Sequence, residues 1–169
     1  NLSPRTHRCF AMNKISVIIP CHISHTNNVT YLLDELVTKQ TIKPYEVVII
    51  VNPGKGEVHF QDKEAGTHIK IIGMADKCTP GKARNIGAQI SSGDILVFAD
   101  ADDRYHPQRI ELIEKCFLNE TSDAVVHGFS FNDFSFLEDA VDSDKVSIRE
   151  CEIDPAHTTN LRVKGSDFE

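Results

Sequence analysis

The chain has 169 residues, 40% of them apolar and 25% charged, with 9 glycines and 7 prolines. That is the composition of one ordinary globular domain with a sizeable core, and it excludes the collagen-like, low-complexity and disordered classes. Eighteen Lys and Arg against 25 Asp and Glu leave a formal charge of -7, which argues against nucleic acid as a partner, because phosphate backbones are bound by basic faces.

No apolar run approaches the ~18 residues of a membrane span, and no signal-peptide core is visible near the start. The five cysteines, Cys9, Cys21, Cys78, Cys116 and Cys151, are odd in number and contain no CxxC pair. A reducing, cytoplasmic setting is therefore expected, with any attachment to the cytoplasmic face of a membrane made through parts outside this chain. His22 and His25 are the one short pair of metal-type ligands and read more simply as polar loop residues.

Residues 1–13 carry a Pro, three basic residues and no periodicity; they are read as an arm or remnant outside the fold, with 14–169 as a single domain. The run KISVIIP at 14–20 predicts a strand buried on both faces, ending at Pro20. NNVTYLLDELVTKQ at 27–40 then places Val29, Leu32, Leu33, Leu36 and Val37 at helical spacing behind an Asn cap. YEVVIIV at 45–51 is a second apolar strand, stopped by the turn signal NPGKG. Residues 52–68 are polar and are read as a long loop with at most one short helix.

HIKIIGM at 68–74 predicts a third strand. Pro80 suits the first turn of a helix with Ala83, Ile86, Gly87 and Ile90 on one face and Gly93 at its end. DILVFAD at 94–100 predicts a fourth strand, and Pro107 opens a helix with Ile110, Ile113, Phe117 and Leu118 inward. DAVVHGFSF at 123–131 predicts a fifth strand, and from residue 132 onward the pattern weakens to an irregular or antiparallel C-terminal edge. Strands alternating with amphipathic helices imply an α/β fold, a doubly wound and mostly parallel sheet with helices on both faces. Ligands of such sheets sit beyond the carboxyl ends of the strands, where His22, Asn52 and Asp100 fall.

The fourth strand runs into Asp100, Asp102 and Asp103. If the chain stays extended, alternation sends Asp100 and Asp102 to the same side and Ala101 away. Converging carboxylates need compensation, by protonation, by a basic neighbour such as Arg104, or by a hard cation that takes one or two protein carboxylates and shares the rest of its shell with water and phosphate. Asp103 is read as a cap of the helix that follows. In KCTPGKARNIG, Gly81 and the start of a helix present backbone N–H groups, with Lys77, Lys82 and Arg84 adding positive charge: an anion site in outline, although Lys82 reads equally well as a solvated helix residue and the P-loop spacing is absent.

Taken in order, ISVIIP, EVVIIVNPG, GKARNIGAQISSGDILVFADADD and HPQRIELIEKCF resemble the nucleotide-sugar half of family 2 glycosyltransferases of the GT-A, Rossmann-like fold, over about residues 15–130 and most specifically over 81–103. The resemblance implies transfer of a sugar from a nucleoside diphosphate sugar, a UDP-sugar foremost, to a hydroxyl of a glycan, lipid or protein acceptor, with inversion and with Mn²⁺ or Mg²⁺. It implies that Pro20, Cys21 and His22 lie against the base, that Asn52 stands where the family usually has an Asp contacting the nucleoside, and that Lys77, Gly81 and Arg84 serve the diphosphate or base. Asp100, Ala101 and Asp102 match the D-x-D, with Asp102 as the direct metal ligand and Asp100 toward ribose or metal-bound water. The family's paired Asp residues after its second strand are Val51 and Asn52 here. Its general base has one candidate, Asp139 in LEDAV, and region 132–169 would be a truncated or minimal acceptor side. Two alternatives are a GT-A domain that binds nucleotide without catalysis and a nucleotidyltransferase; PCHISHTNN lacks the Gly, Lys and Arg that the latter places after its first strand.

Overall fold

A computed structural model describes residues 13–53, 58–64, 66–119 and 124–125. The arm, Asp139 and the region 132–169 lie outside the described residues, as does the strand expected at 123–131 apart from residues 124 and 125.

Five strands form one sheet in the order β3-β4-β2-β1-β5. Strands β1 (Ile15–His22), β2 (Glu46–Asn52), β4 (Thr67–Gly73) and β5 (Ile95–Phe98) are parallel to their neighbours. Their apolar runs follow from double burial: Val17, Ile18 and Ile19 in β1 and Val47 and Val48 in β2 are each 0% exposed, whichever face they point to. Strand β3 (Val58–Glu64) pairs antiparallel with β4 at the sheet edge, across a turn in which Gly66 takes φ of +93°. This strand replaces the expected loop. An edge strand pairs on one side only, so its sequence need not be an apolar run.

Helix α1 (Thr26–Asp34) does not start behind an Asn cap. A single 3-10 turn, Ile23–His25, precedes it, and His22 caps that turn by accepting the Ser24 N–H on Nδ1 at 3.2 Å. The helix runs on into a π-helical turn, Glu35–Lys39, whose extra residue per turn lets the consecutive Glu35, Leu36 and Val37 all face inward. Helix α2 (Pro80–Ile90) has Pro80 at its first turn, as expected, behind Thr79, whose hydroxyl accepts the Lys82 N–H at 3.3 Å. Ala83 and Gly87 face the sheet, and a Cβ on Gly87 would lie 2.4 Å from Ile18 Cγ2, so glycine sets how closely α2 approaches β1. Ile90 is exposed, and the helix ends before Gly93, which packs on β1 instead.

Helix α3 (Arg109–Asn119) starts two residues after Pro107. Its Ile110 N–H is taken by Gln40 Oε1 at 3.1 Å; Asp103 lies too far upstream to cap it and instead accepts from the Tyr105 hydroxyl at 3.4 Å. Ile110 and Ile113 are buried as expected, but Leu118 is exposed and Cys116 is buried in its stead. Ile110 and Ile113 share a core with Leu32, Leu36, Val17 and Ile19 on one face of the sheet, while Ala83 meets Ile18, Val48 and Phe98 on the other. Helices therefore cover both faces, and the doubly wound α/β fold is established.

One buried polar group ties the amino end of this sheet together. The Glu46 carboxylate, 1% exposed, accepts from the Ser16 hydroxyl at 2.7 Å and the Ser92 N–H, and pairs with Lys70 Nζ at 2.5 Å. Burial alone pushes its pKa up, but the hydrogen bonds from Lys70, Ser92 and Ser16 more than offset this and hold it below the usual carboxylate range. A depressed folded-state pKa contributes stability above the unfolded-state value, and that stability is lost as pH falls through the folded one. Glu46→Gln is accordingly expected to be about 2 kcal/mol less stable than wild type at neutral pH. Urea melts taken between about pH 7 and pH 3 should see this gap close on the acid side; a gap independent of pH would contradict the assignment.

Candidate functional site

The parallel strands run outward from β1 in both directions, β2 and β4 on one side and β5 on the other, so the winding reverses between β1 and β5. The carboxyl ends flanking such a reversal form a crevice, because the chain leaves the two strands in opposite directions. Pro20 widens it. Ala99 N–H donates to the Ile18 carbonyl at 3.0 Å, so Ile18 and Pro20 both face β5, and the next rung would need a proline N–H that does not exist. The β1–β5 ladder stops at Ile18 and Phe98, whereas β1–β2 continues to His22 and Asn52.

The segment after β5 leaves the strand direction at once. Ala99 and Ala101 are buried, and a turn closes with Asp103 N–H on the Asp100 carbonyl at 3.3 Å. Ala101 does point away from the carboxylates, but these do not share one face of an extended strand. Asp100 is half-buried and turns toward α2, where Arg84 Nη2 donates to its Oδ1 at 2.6 Å; Asp102 is exposed. Arg84 thus supplies the basic neighbour expected of Arg104. Arg104 is occupied with Glu35, to which its Nε donates at 2.5 Å. Its position next to the acids in sequence carried no information about its partner.

The remaining expected residues divide by side chain. Cys21 is 2% exposed in the core shared with α1, its Sγ 3.1 Å from the His22 carbonyl, and burial pushes the thiol up to about 11. It is a neutral packing group that brings only backbone to the crevice. His22 is exposed, with Nδ1 held by Ser24 and its ring 6.1 Å from that of His25, edge to face. Asn52, adjacent to His22 across the ladder, grips the backbone of Cys78: its amide donates to the Cys78 carbonyl and accepts the Cys78 N–H at 3.0 Å. An Asp at 52 would set a carboxylate against that carbonyl, which is a physical reason for Asn here. The grip fixes the chain just before α2, beside the exposed Lys77. Gly81 is exposed on the first turn of α2, and a Cβ there would meet nothing within 4 Å, so its backbone is open to approach.

Three residues that sequence reasoning passed over complete the site: Glu35, Thr79 and Tyr105. Thr79 was legible as the Thr before a helix-opening Pro. Glu35 carried no signal, because its partner Tyr105 is brought to it by folding across 70 residues; Tyr105 reaches Asp100 and Asp103 within five residues of itself, but in a turn that no cap or motif pattern marks. Asp100 and Asp102 are oxygen donors on a turn with one residue between them, which suits a hard cation needing few protein ligands. Among the described residues no group of three or more His, Cys, Asp or Glu forms a closed metal cage.

An open α/β sheet of this winding, with an acidic turn and a basic helix start at its reversal, defines a GT-A, Rossmann-like domain. Residues 16–157 match Glycosyl transferase family 2, and the chain belongs to that family. It is similar to the uncharacterized glycosyltransferase YwdF of Bacillus subtilis, with 31% identity over 114 residues, 66% of this chain and 40% of that protein. It is also similar to the amylovoran biosynthesis glycosyltransferase AmsB of Erwinia amylovora, 28% identical over 59% of this chain and 36% of that protein. Glycosyltransferase GlyA of Streptococcus pneumoniae is 32% identical over 72% of this chain and 18% of its own length. The chain thus spans less than half the length of these relatives. Among the described residues no helix is long and apolar enough to cross a membrane.

Proposed function

We propose that this domain seats the nucleoside diphosphate of a sugar nucleotide, a UDP-sugar foremost, in the crevice between β1 and β5 and transfers the sugar, with inversion, to an acceptor hydroxyl of a glycan, lipid or protein. The observation that carries this reading is the Arg84–Asp100 pair beside the exposed Asp102 at the mouth of that crevice.

Within it, His22 and Asn52 face the base side. The first turn of α2 offers the Gly81 N–H, and Lys77 adds charge for the diphosphate. Arg84 holds Asp100 in place, and Asp102 is the carboxylate with open access to Mn²⁺ or Mg²⁺. The ion, when bound, supplies Lewis acidity to the departing diphosphate. Asp139 is proposed as the base that takes the acceptor proton.

Calorimetric titration with UDP- and GDP-sugars, with and without Mn²⁺, tests the reading. Metal-dependent binding of a nucleotide sugar is expected, followed by release of free nucleoside diphosphate when acceptor is supplied. No metal-dependent nucleotide binding at all would sink it; binding without release would favour a domain that holds nucleotide and does no chemistry.

A further inference from the structure

The acidic turn is held from below by a side chain outside the D-x-D. Tyr105 is 8% exposed, and its hydroxyl accepts the Asp100 N–H at 2.9 Å while donating to the Asp103 carboxylate at 3.4 Å. One oxygen therefore touches both ends of the turn that carries Asp102. The ring is fixed as well: the Arg109 guanidinium lies 3.7 Å from its centroid, and Arg109 also donates to the carbonyl of Phe98, the last residue of β5, at 3.1 Å. The Tyr105 N–H donates to the buried Glu35 at 3.3 Å, and Glu35 also holds Arg104. A buried tyrosine needs one partner for its hydroxyl. This one has two, both in the acidic turn, and is locked at backbone, ring and oxygen.

We infer that Tyr105 is a positioning residue of this site: its hydroxyl sets the angle at which Asp100 and Asp102 present their carboxylates to a divalent cation and the diphosphate it carries. The inference rests on the function proposed above.

Tyr105→Phe removes the oxygen and keeps the ring and its contact with Arg109. Mn²⁺ affinity in the presence of UDP or GDP, nucleotide affinity in EDTA, and the thermal midpoint are to be measured for wild type and variant. The expected result is a fall of about tenfold in Mn²⁺ affinity, the equivalent of one good hydrogen bond, with metal-free nucleotide affinity unchanged. A residue that served packing alone would shift the midpoint and leave the metal affinity as it was. Mn²⁺ affinity within about twofold of wild type overturns the inference while leaving the proposed function standing. Should wild type show no Mn²⁺-linked nucleotide binding, the proposed function falls and this inference with it. If Tyr105→Phe does not fold, Glu35→Ala, which removes the acceptor of the Tyr105 N–H and leaves the half-exposed Arg104 to water, is expected to weaken Mn²⁺ binding in the same selective way by loosening Tyr105 at its backbone; an unchanged affinity there overturns the inference equally.

Discussion

On the function proposed above, replacing Asp102 by Asn is expected to cut metal-dependent turnover by about 100-fold or more while leaving the fold intact. The side chain is exposed on a turn whose hydrogen bonds run through the Asp100 carbonyl and N–H and the Asp103 N–H and carboxylate, none of which the substitution touches. Asn has the same size and removes one of three neighbouring negative charges, so stability should change by less than about 0.5 kcal/mol. What it does remove is the charged oxygen ligand that a hard cation requires, because an amide oxygen is a much weaker ligand for such an ion. Arg84 remains paired with Asp100 in the variant, so the basic half of the site is undisturbed. The decisive measurement is the Mn²⁺ dependence of nucleotide binding and of nucleoside diphosphate release. An Asn variant that keeps wild-type metal dependence would move the metal away from Asp102.

Gly93→Ala is the substitution expected to cost most in stability. A Cβ at this position would lie 2.3 Å from Ser16 Oγ, 2.7 Å from the Lys14 carbonyl and 2.8 Å from the Ser16 nitrogen. Two of these atoms are backbone, and β1 cannot retreat: Ser16 is paired with Glu46 on one side and Leu96 on the other. The turn cannot lift away either, because Asp94 and Ile95 N–H both donate to the Lys14 carbonyl, at 2.7 and 3.1 Å, and the Gly93 N–H donates to Ser16 Oγ at 2.9 Å. Overpacking against fixed backbone costs about 3 kcal/mol, enough to lower the thermal midpoint by on the order of 10 °C in a domain of this size. Gly81→Ala is the control, since a methyl there meets nothing within 4 Å and alanine is the better helix former. A Gly93→Ala protein that melts like wild type would show that β1 and the turn separate more easily than their hydrogen bonds imply.

Both expectations depend on distinguishing what local sequence encodes from what only folding brings together. Strands β1, β2 and β5 were legible because a strand covered on both faces is a near-continuous apolar run, a pattern that a short window contains in full. Helix α2 was legible because Pro80 acts locally through its ring. Strand β3 was not, since an edge strand with one paired side carries no such run, and its identity comes from β4, which reaches it through the turn at Gly66. Gly93 looked like a helix terminator because local reasoning assigns glycine to chain reversal. Its actual role, close contact with Ser16, spans 77 residues of sequence.

The sequence by itself determined the α/β class, the parallel winding, the acidic cluster at a strand end and the resemblance to family 2 glycosyltransferases, because each rests on periodicity or spacing within a few tens of residues. Tertiary structure alone decided the partners. Arg84 and not Arg104 meets Asp100, Asn52 grips Cys78 across 26 residues, and Glu35 reaches Tyr105 across 70. Charge and hydrogen-bond partners are chosen by distance in space, and a folded sheet sets those distances without regard to separation along the chain.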